Sequence, residues 1–123
     1  MFALLMGLKS ITPNALHEMI RNQSVTVIDV NSRQSWMKEH VPGALNLDPA
    51  NYHDRDLPSE KDTRLVFYCS NPLCRKAPNA ARRAKKMGYD NTMVMSAGIS
   101  GWLATSLPTE TGDESALASS SGH

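Results

Sequence analysis

The sequence predicts a small α/β domain built on a mainly parallel sheet, with helices on both faces of that sheet. Short apolar, β-branched segments alternate along the chain with amphipathic segments of helical spacing, and strands that alternate with helices pair in parallel. A chain of 123 residues is long enough for one compact core and too short for two. In such sheets, ligands bind beyond the carboxyl ends of the strands.

The first third of the chain predicts a helix followed by a buried strand. A short strand at 10–12 leads into a helix that Thr12 caps and Pro13 opens, because proline is favoured at the first helical position. The β-branched run at 25–30 is typical of a buried strand. Asp29 is therefore expected where this strand delivers its carboxyl end.

The rest of the chain repeats this alternation. Ser32 is expected to cap a helix that runs to about His40. The segment 64–68, with Leu65, Val66 and Phe67 in sequence, predicts a buried strand that ends directly before Cys69. The remaining expected elements are a turn at 41–43, a short strand at 44–47, a polar irregular segment at 51–61, a helix at 77–87 that stops at Gly88, a short strand at 92–95, and a glycine turn with a helical turn at 97–103.

Charge and hydropathy argue against nucleic-acid and membrane partners. Thirteen Lys and Arg stand against twelve Asp and Glu, a formal net charge of +1. The apolar segment 1–8 is too short to span a bilayer and lacks the features of a secretory signal, so we expect a cytoplasmic protein. The small polar residues near the end predict a domain over 1–108 and a disordered tail over 109–123.

The two cysteines, Cys69 and Cys74, indicate thiol chemistry. Disulfide-rich secreted folds normally have more cysteines, spread along the chain. A zinc site would need His40 or His53 to complete a tetrahedral shell, and no second pair of ligands is visible. We expect neither a metal nor another cofactor.

Cys69 is the best candidate for a catalytic residue. It is followed by a loop and a helix start, where unpaired amides and the helix dipole stabilise a thiolate, a persulfide or an oxyanion. Positive charge at the end of the loop should lower the pKa of the thiol. The alternative is that Cys69 is a small buried residue at a strand end. The residues expected to form the anion-binding loop are Ser70, Asn71, Pro72, Leu73, Cys74, Arg75 and Lys76.

The role of Cys74 stays open at this point. A disulfide with Cys69 requires the loop to fold back tightly. Cys74 is then either a resolving thiol, which takes sulfur or forms a disulfide with Cys69 after oxidation, or a side chain that fills the loop.

Several segments, in the right order, resemble the rhodanese domain and cover most of the chain from Ile11 to Leu107. They are the strand 27–30 with its terminal aspartate and Arg33, the H-x-P-G-A turn at 40–46, the strand end 67–69 with its cysteine, and the glycine-and-tryptophan segment 95–102. The resemblance implies a sulfurtransferase without a cofactor. Cys69 would carry sulfur as a persulfide, taken from a donor such as thiosulfate or polysulfide and passed to cyanide, a thiol or an acceptor protein. It also implies that the loop amides hold the persulfide, with Asp29 and Arg33 as structural support.

The sequence departs from this pattern at three places. Asn31 stands where arginine is usual, and Ala97 replaces the first glycine of a pair. In the loop, Cys74 holds the position of the usual arginine, and Arg75 comes one residue later. The longer loop leaves the identity of the substrate open, because loop size decides which anion fits.

Two other functions compete with this interpretation. Cys69 and Arg75, with five residues between them, match the signature of cysteine-dependent phosphatases and arsenate reductases. Against them, Tyr68 stands where those enzymes usually have histidine, and the loop contains no glycine and no carboxylate for a general acid. The third alternative is a catalytically silent module that binds a partner protein, with the C-terminal tail as a linker or recognition segment. The basic residues of the helix at 77–87 form either a docking face for an acidic partner, such as a sulfur-carrier protein, or a solvated face, which is the usual role of such a run; they are Arg82, Arg83, Lys85 and Lys86.

Overall fold

The computed structural model of the chain describes residues 7–112. Five parallel strands form one sheet in the order β1-β5-β4-β2-β3. The strands are β1 (Lys9–Ser10), β2 (Thr26–Asp29), β3 (Leu45–Asn46), β4 (Leu65–Tyr68) and β5 (Thr92–Val94). The helices of the described range are α1 (Pro13–Arg21), α2 (Arg33–Lys38), α3 (Lys76–Lys86) and α4 (Gly98–Ala104), with a 3-10 turn at Asp54–Asp56.

The core lies on both faces of the sheet. The side chains of β4 alternate between these two faces. Leu65 and Phe67 point to the face covered by the alanines of α3. Val66 and Tyr68 point to the opposite face, where α1 and α4 contribute Leu16 and Trp102. All four β4 side chains are buried, as the continuous apolar run requires of a central parallel strand. The predicted parallel sheet with helices on both faces is confirmed.

Local signals place the helix starts. The Thr12 side chain accepts a hydrogen bond from the N–H of Ala15 at 3.2 Å, and Pro13 opens α1. Ser32 caps α2 in the same way, accepting from the N–H of Ser35 at 3.2 Å. Each cap satisfies one of the amides that a helix leaves without an internal partner.

Several element bounds differ by one or two residues from the sequence-based expectation, and two of these differences have a local cause. The first strand ends at Ser10, because Thr12 is used as the cap of α1. Helix α2 ends at Lys38, two residues before His40. The His40 backbone instead pairs with Glu110 as an isolated antiparallel bridge.

Residues 109–112 pack on the domain, beyond the boundary predicted at Pro108. His40 and Glu110 exchange two backbone hydrogen bonds of 2.9 Å, and the Glu110 carboxylate accepts from the N–H of Gly43 at 2.8 Å. Composition does not reveal this tether, because it depends on backbone pairing with a distant turn. The predicted disorder of 113–123 lies outside the described residues. So do residues 1–6 of the apolar segment 1–8. Between residues 7 and 112, no helix is both long and apolar enough to cross a bilayer.

Candidate active site

Cys69 lies at the carboxyl end of the central strand β4 and is only 3% exposed. Its carbonyl oxygen accepts a hydrogen bond from the N–H of Ile99 at 2.9 Å, and the carbonyl of Ser70 accepts from Ser100 at 3.0 Å. Both donors belong to the first turn of α4, whose amides have no partner within the helix. The start of α4 therefore fixes the backbone at the cysteine.

Gly98 allows this close approach. Its φ of +67° lies in the left-handed region, and a Cβ atom there would lie 2.6 Å from the Asn71 nitrogen and 2.8 Å from the Cys69 oxygen. A side chain would force the strand end and α4 apart. The glycine of the closing sequence motif thus serves to seat the cysteine backbone.

Cys69 and Cys74 are joined as a disulfide, with their Cα atoms 6.4 Å apart. Asn71 makes the turn between them: its carbonyl accepts from the N–H of Cys74 at 3.1 Å, and its side-chain Oδ1 accepts from the N–H of Leu73 at 2.9 Å. An asparagine that bonds its own backbone two residues on is a common turn device. The loop therefore folds back tightly enough to join the two cysteines, which the sequence had left open.

The predicted anion cradle is closed in this disulfide form. The amides of Leu73 and Cys74 already donate to Asn71, and Pro72 has no N–H to offer. The cavity beside the two sulfurs measures about 10 Å³, which is room for about one water molecule. The disulfide form therefore has no space for thiosulfate.

Exposed groups surround this closed centre. Leu73 is 81% exposed at the tip of the loop. Arg75 and Lys76 are exposed at the start of α3, where Arg75 occupies the N-cap position. Their charges and the positive end of α3 lie directly after Cys74, so the rim favours an approaching anion.

Asp29 is fully buried and lies in a hydrogen-bond network beside the cysteine. Its neighbour across the sheet is Tyr68, the residue before Cys69. The Tyr68 hydroxyl donates to the Asp29 carboxylate at 2.6 Å and accepts from the N–H of Val41 at 3.0 Å. The other carboxylate oxygen accepts from the N–H of Asn31 at 2.7 Å. The network ties β2, β4 and the turn after α2 together.

Burial governs the protonation of this network. The pKa of Asp29 is raised from its usual 3.8 by desolvation, although the hydrogen bonds from Tyr68 and Asn31 act in the opposite direction. The pKa of Tyr68 is raised far above its usual value by burial and by the adjacent Asp29 charge. Tyr68 therefore stays a neutral donor, and the geometry gives Asp29 a positioning contact rather than access to substrate.

Sequence reasoning missed Tyr68 as a member of this network. Asp29 and Tyr68 are the last residues of two neighbouring parallel strands, so the register of those strands was the signal that could have found the pair. Arg33 occupies a different place: it is exposed and lies over the Trp36 ring, 5.6 Å from the centroid. It lines a groove of about 340 Å³ whose lining residues do not include Cys69.

No group of three or more His, Cys, Asp or Glu side chains suited to holding a metal ion occurs within residues 7–112. Among the described residues that line the cavity with Cys69, the only acidic or thiol side chain is that of Cys74.

The sequence profile of the rhodanese-like domain matches residues 12–105, which is most of the chain. The chain belongs to the rhodanese-like domain family. Among solved structures, a thiosulfate sulfurtransferase from Pseudomonas aeruginosa superposes with a TM-score of 0.74 at 25% identity, over 85% of this chain and 20% of the other. The rhodanese fold and the alternating order of strands and helices are thereby confirmed.

Relatives of this rhodanese-like domain carry different names. It is 32% identical over 88 residues to an HTH-type transcriptional regulator of Mycobacterium tuberculosis, across 72% of this chain but only 38% of the regulator. It is 28% identical over 94 residues to the thiosulfate sulfurtransferase GlpE of Shewanella oneidensis, across 76% of this chain and 91% of GlpE. The dual specificity phosphatase Cdc25 of Arabidopsis thaliana is 27% identical over 119 residues, across 86% of this chain and 80% of the phosphatase.

Proposed function

We propose that this rhodanese-like domain is a sulfurtransferase in which Cys69 carries a sulfane sulfur as a persulfide. The observation that supports it most is the position of Cys69, buried at the carboxyl end of the central strand and directly before the loop that leads to the start of α3. Parallel sheets place their chemistry at this edge. The similarity to GlpE over nearly the whole length of that enzyme supports the same reaction.

The reaction starts from the reduced pair of cysteines. The Cys69 thiolate attacks the outer sulfur of thiosulfate, forming a sulfur–sulfur bond as the bond within thiosulfate breaks. Sulfite leaves with the electron pair. A thiophilic acceptor, such as cyanide or a thiolate, then attacks the outer sulfur of the persulfide and restores the Cys69 thiolate.

The loop from Ser70 to Lys76 binds the donor in this proposal. Reduction of the disulfide releases Cys74 from Cys69, and the loop then opens beyond its closed volume of about 10 Å³. Arg75 and Lys76 attract the dianionic donor and stabilise the anionic persulfide together with the α3 dipole. Asp29 positions the strand end through Tyr68.

The compartment and the partners follow from the same chemistry. A cytoplasmic location suits the proposal, because cytoplasmic thiols keep such a pair reduced between turnovers. Thiosulfate or polysulfide supplies the sulfur, and the acceptor is cyanide, a small thiol or an acceptor protein.

The test is the formation of thiocyanate from thiosulfate and cyanide by the reduced protein. We expect Cys69→Ser to abolish it and Cys74→Ser to retain it, since cyanide attacks the persulfide without the second thiol. Both variants should keep the fold, as shown by unchanged unfolding midpoints under reducing conditions. A Cys69→Ser variant that still forms thiocyanate at the wild-type rate would overturn the proposal.

A cysteine-dependent phosphatase is the second candidate, and the similarity to Cdc25 of Arabidopsis thaliana favours it. Cys69 would then attack phosphorus while Arg75 clamps the oxyanion. The residues of the loop, from Ser70 to Cys74, include no carboxylate to protonate a leaving group. Hydrolysis of an aryl phosphate without thiocyanate formation would select the phosphatase, and loss of both reactions would select the silent binding module.

A further inference from the structure

We propose that Cys74 resolves the Cys69 persulfide within the same chain, so that the protein releases hydrogen sulfide and is left as the Cys69–Cys74 disulfide. The inference rests on the proposed persulfide of Cys69 and adds a second reaction of that site. It makes the protein a thiosulfate reductase that depends on a dithiol reductant.

The disulfide shows that the sulfur of Cys74, the attacking atom, can reach the Sγ of Cys69, the attacked atom. The two Cα atoms are 6.4 Å apart, within the usual range for a disulfide. Forming that bond from the persulfide requires the Cys74 sulfur to approach the inner sulfur, the Sγ of Cys69. The outer sulfur is then the leaving group.

Both ends of the loop are held for this attack. The Cys69 backbone is fixed by the N–H of Ile99 at 2.9 Å, and that of Cys74 by the Asn71 carbonyl at 3.1 Å. The Asn71 side chain closes the turn through the N–H of Leu73 at 2.9 Å. A nucleophile held this way reacts at an effective concentration that a thiol from solution does not reach.

Burial also favours the internal thiol over an external one. Cys69 is 3% exposed, and the cavity beside it holds about 10 Å³ in the closed loop. An external acceptor must wait for the loop to open, whereas Cys74 lines the same cavity. The closed conformation therefore leads to internal resolution, and the open conformation leads to transfer.

The reaction balances in atoms and electrons. The Cys74 thiol passes its proton to the outer sulfur as its Sγ attacks Cys69 Sγ, the Cys69–Cys74 bond forms, and the bond to the outer sulfur breaks. The electron pair leaves with that sulfur as hydrosulfide, which is the reduced product, while the two cysteines are oxidised to the disulfide. A dithiol reductant must then reduce the disulfide. Over one cycle, thiosulfate and one dithiol give sulfite, hydrogen sulfide and one oxidised dithiol.

The experiment is a single turnover without any added thiol. Reduced protein is freed of reductant under argon, mixed with thiosulfate, and assayed for sulfite, sulfide and intact mass. The wild type should release one sulfide for each sulfite and lose two hydrogens in mass. Cys74→Ser and Cys74→Ala should still release sulfite and gain one sulfur atom in mass, and the sulfide released for each sulfite should fall at least about tenfold.

A positioning variant and the measured products separate the outcomes. Asn71→Ala should slow sulfide release relative to sulfite release, because the turn that presents Cys74 is weakened. If the wild type releases sulfite but keeps a stable persulfide, internal resolution is overturned and the sulfurtransferase proposal stands. Equal sulfide from wild type and Cys74→Ser also overturns it. If neither the wild type nor Cys74→Ser releases sulfite, the persulfide itself is absent and both proposals fail. Oxidation by residual oxygen would give the disulfide without sulfide, so it is not mistaken for resolution.

Discussion

The carboxyl ends of the neighbouring strands β2 and β4 differ in how far the residues around them are buried and hydrogen-bonded. At the end of β2, the Asp29 side chain is fully buried, and its carboxylate oxygens accept from the Tyr68 hydroxyl and the Asn31 N–H. At the end of β4, Cys69 is also buried, but the residues after it, from Ser70 to Leu73, are exposed. In that loop, Asn71 makes the turn between the two cysteines by accepting from the N–H groups of Leu73 and Cys74.

This difference separates support from chemistry. A buried, fully bonded carboxylate cannot reach a substrate, whereas a loop held at its base and at one turn can open when its disulfide is reduced. We call the hydrogen-bond network of Asp29 the Asp29 side, and Cys69 with the loop after it the Cys69 side. Mutations on the Asp29 side should therefore change mainly the stability of the fold, and mutations on the Cys69 side mainly its reactivity.

Gly98→Ala should be the most damaging substitution, because Gly98 lies where the Cys69 side meets the rest of the fold. The added Cβ would meet the backbone of Asn71 at 2.6 Å in a left-handed conformation, so we expect a loss of about 4 kcal/mol in the free energy of unfolding. Gly43→Ala is the matched control. Its φ is +78° but nothing lies within 4 Å of the added atom, so only the conformational cost of about 1–2 kcal/mol remains. Equal losses in urea unfolding would contradict the packing role of Gly98.

Tyr68→Phe should weaken the Asp29 side by about 3 kcal/mol, because it leaves the Oδ2 atom of the buried Asp29 carboxylate and the Val41 N–H each without a partner. Tyr89→Phe is the control. Its hydroxyl donates to one carbonyl, that of Pro58, and we expect a loss of about 1 kcal/mol. Urea unfolding compares the two. A Tyr68→Phe variant as stable as Tyr89→Phe would show that the network carries no special stability.

The stability of the fold should fall with rising pH because of the buried carboxyl group of Asp29. Its folded pKa is raised above 3.8, so the folded state holds the proton more tightly than the unfolded state. As pH rises from 3.8 through the raised pKa, the wild type should lose stability relative to Asp29→Asn. Asp48 is the control with the opposite sign: the Ala50 N–H lowers its pKa, so its contribution is present above 3.8 and is lost as pH falls. Urea unfolding of the wild type and of each Asn variant should give stability differences with slopes of opposite sign, above pH 3.8 for Asp29 and below pH 3.8 for Asp48.

The smallest effect should come from the segment after Pro108. A chain that ends at Pro108 loses the Glu110 pairing with His40 and the contact to Gly43, at a cost of about 1–2 kcal/mol. A chain that ends at Gly112 keeps both contacts and should match the full chain in urea unfolding. Thiocyanate formation should be unchanged in both, because the segment lies on the Asp29 side. Equal stability of the two truncated chains would return the domain boundary to Pro108.

Features with local causes were predictable from the sequence. The caps at Thr12 and Ser32 depend on residues within one helical turn, and the apolar run 64–68 placed Cys69 at a strand end without any knowledge of tertiary contacts. The family resemblance added the order of the segments, and the profile match confirms it.

Features with distant causes were not predictable in the same way. The Tyr68 contact to Asp29 depends on the register of two strands, and the pairing of His40 with Glu110 joins residues seventy positions apart. The disulfide depends on the turn at Asn71, which brings Cys74 back to Cys69. Sequence spacing alone left that turn open, because a loop of this length has other conformations.

The most direct test of the account is to locate the transferred sulfur on the chain. Reduced Cys74→Ser protein is treated with thiosulfate, alkylated and digested with trypsin, which releases residues 65–75 as one peptide holding both positions. We expect one extra sulfur atom, located by fragmentation on Cys69, and none in Cys69→Ser treated in the same way. An unmodified Cys69, or an extra sulfur on Cys74 in the Cys69→Ser variant, would contradict it.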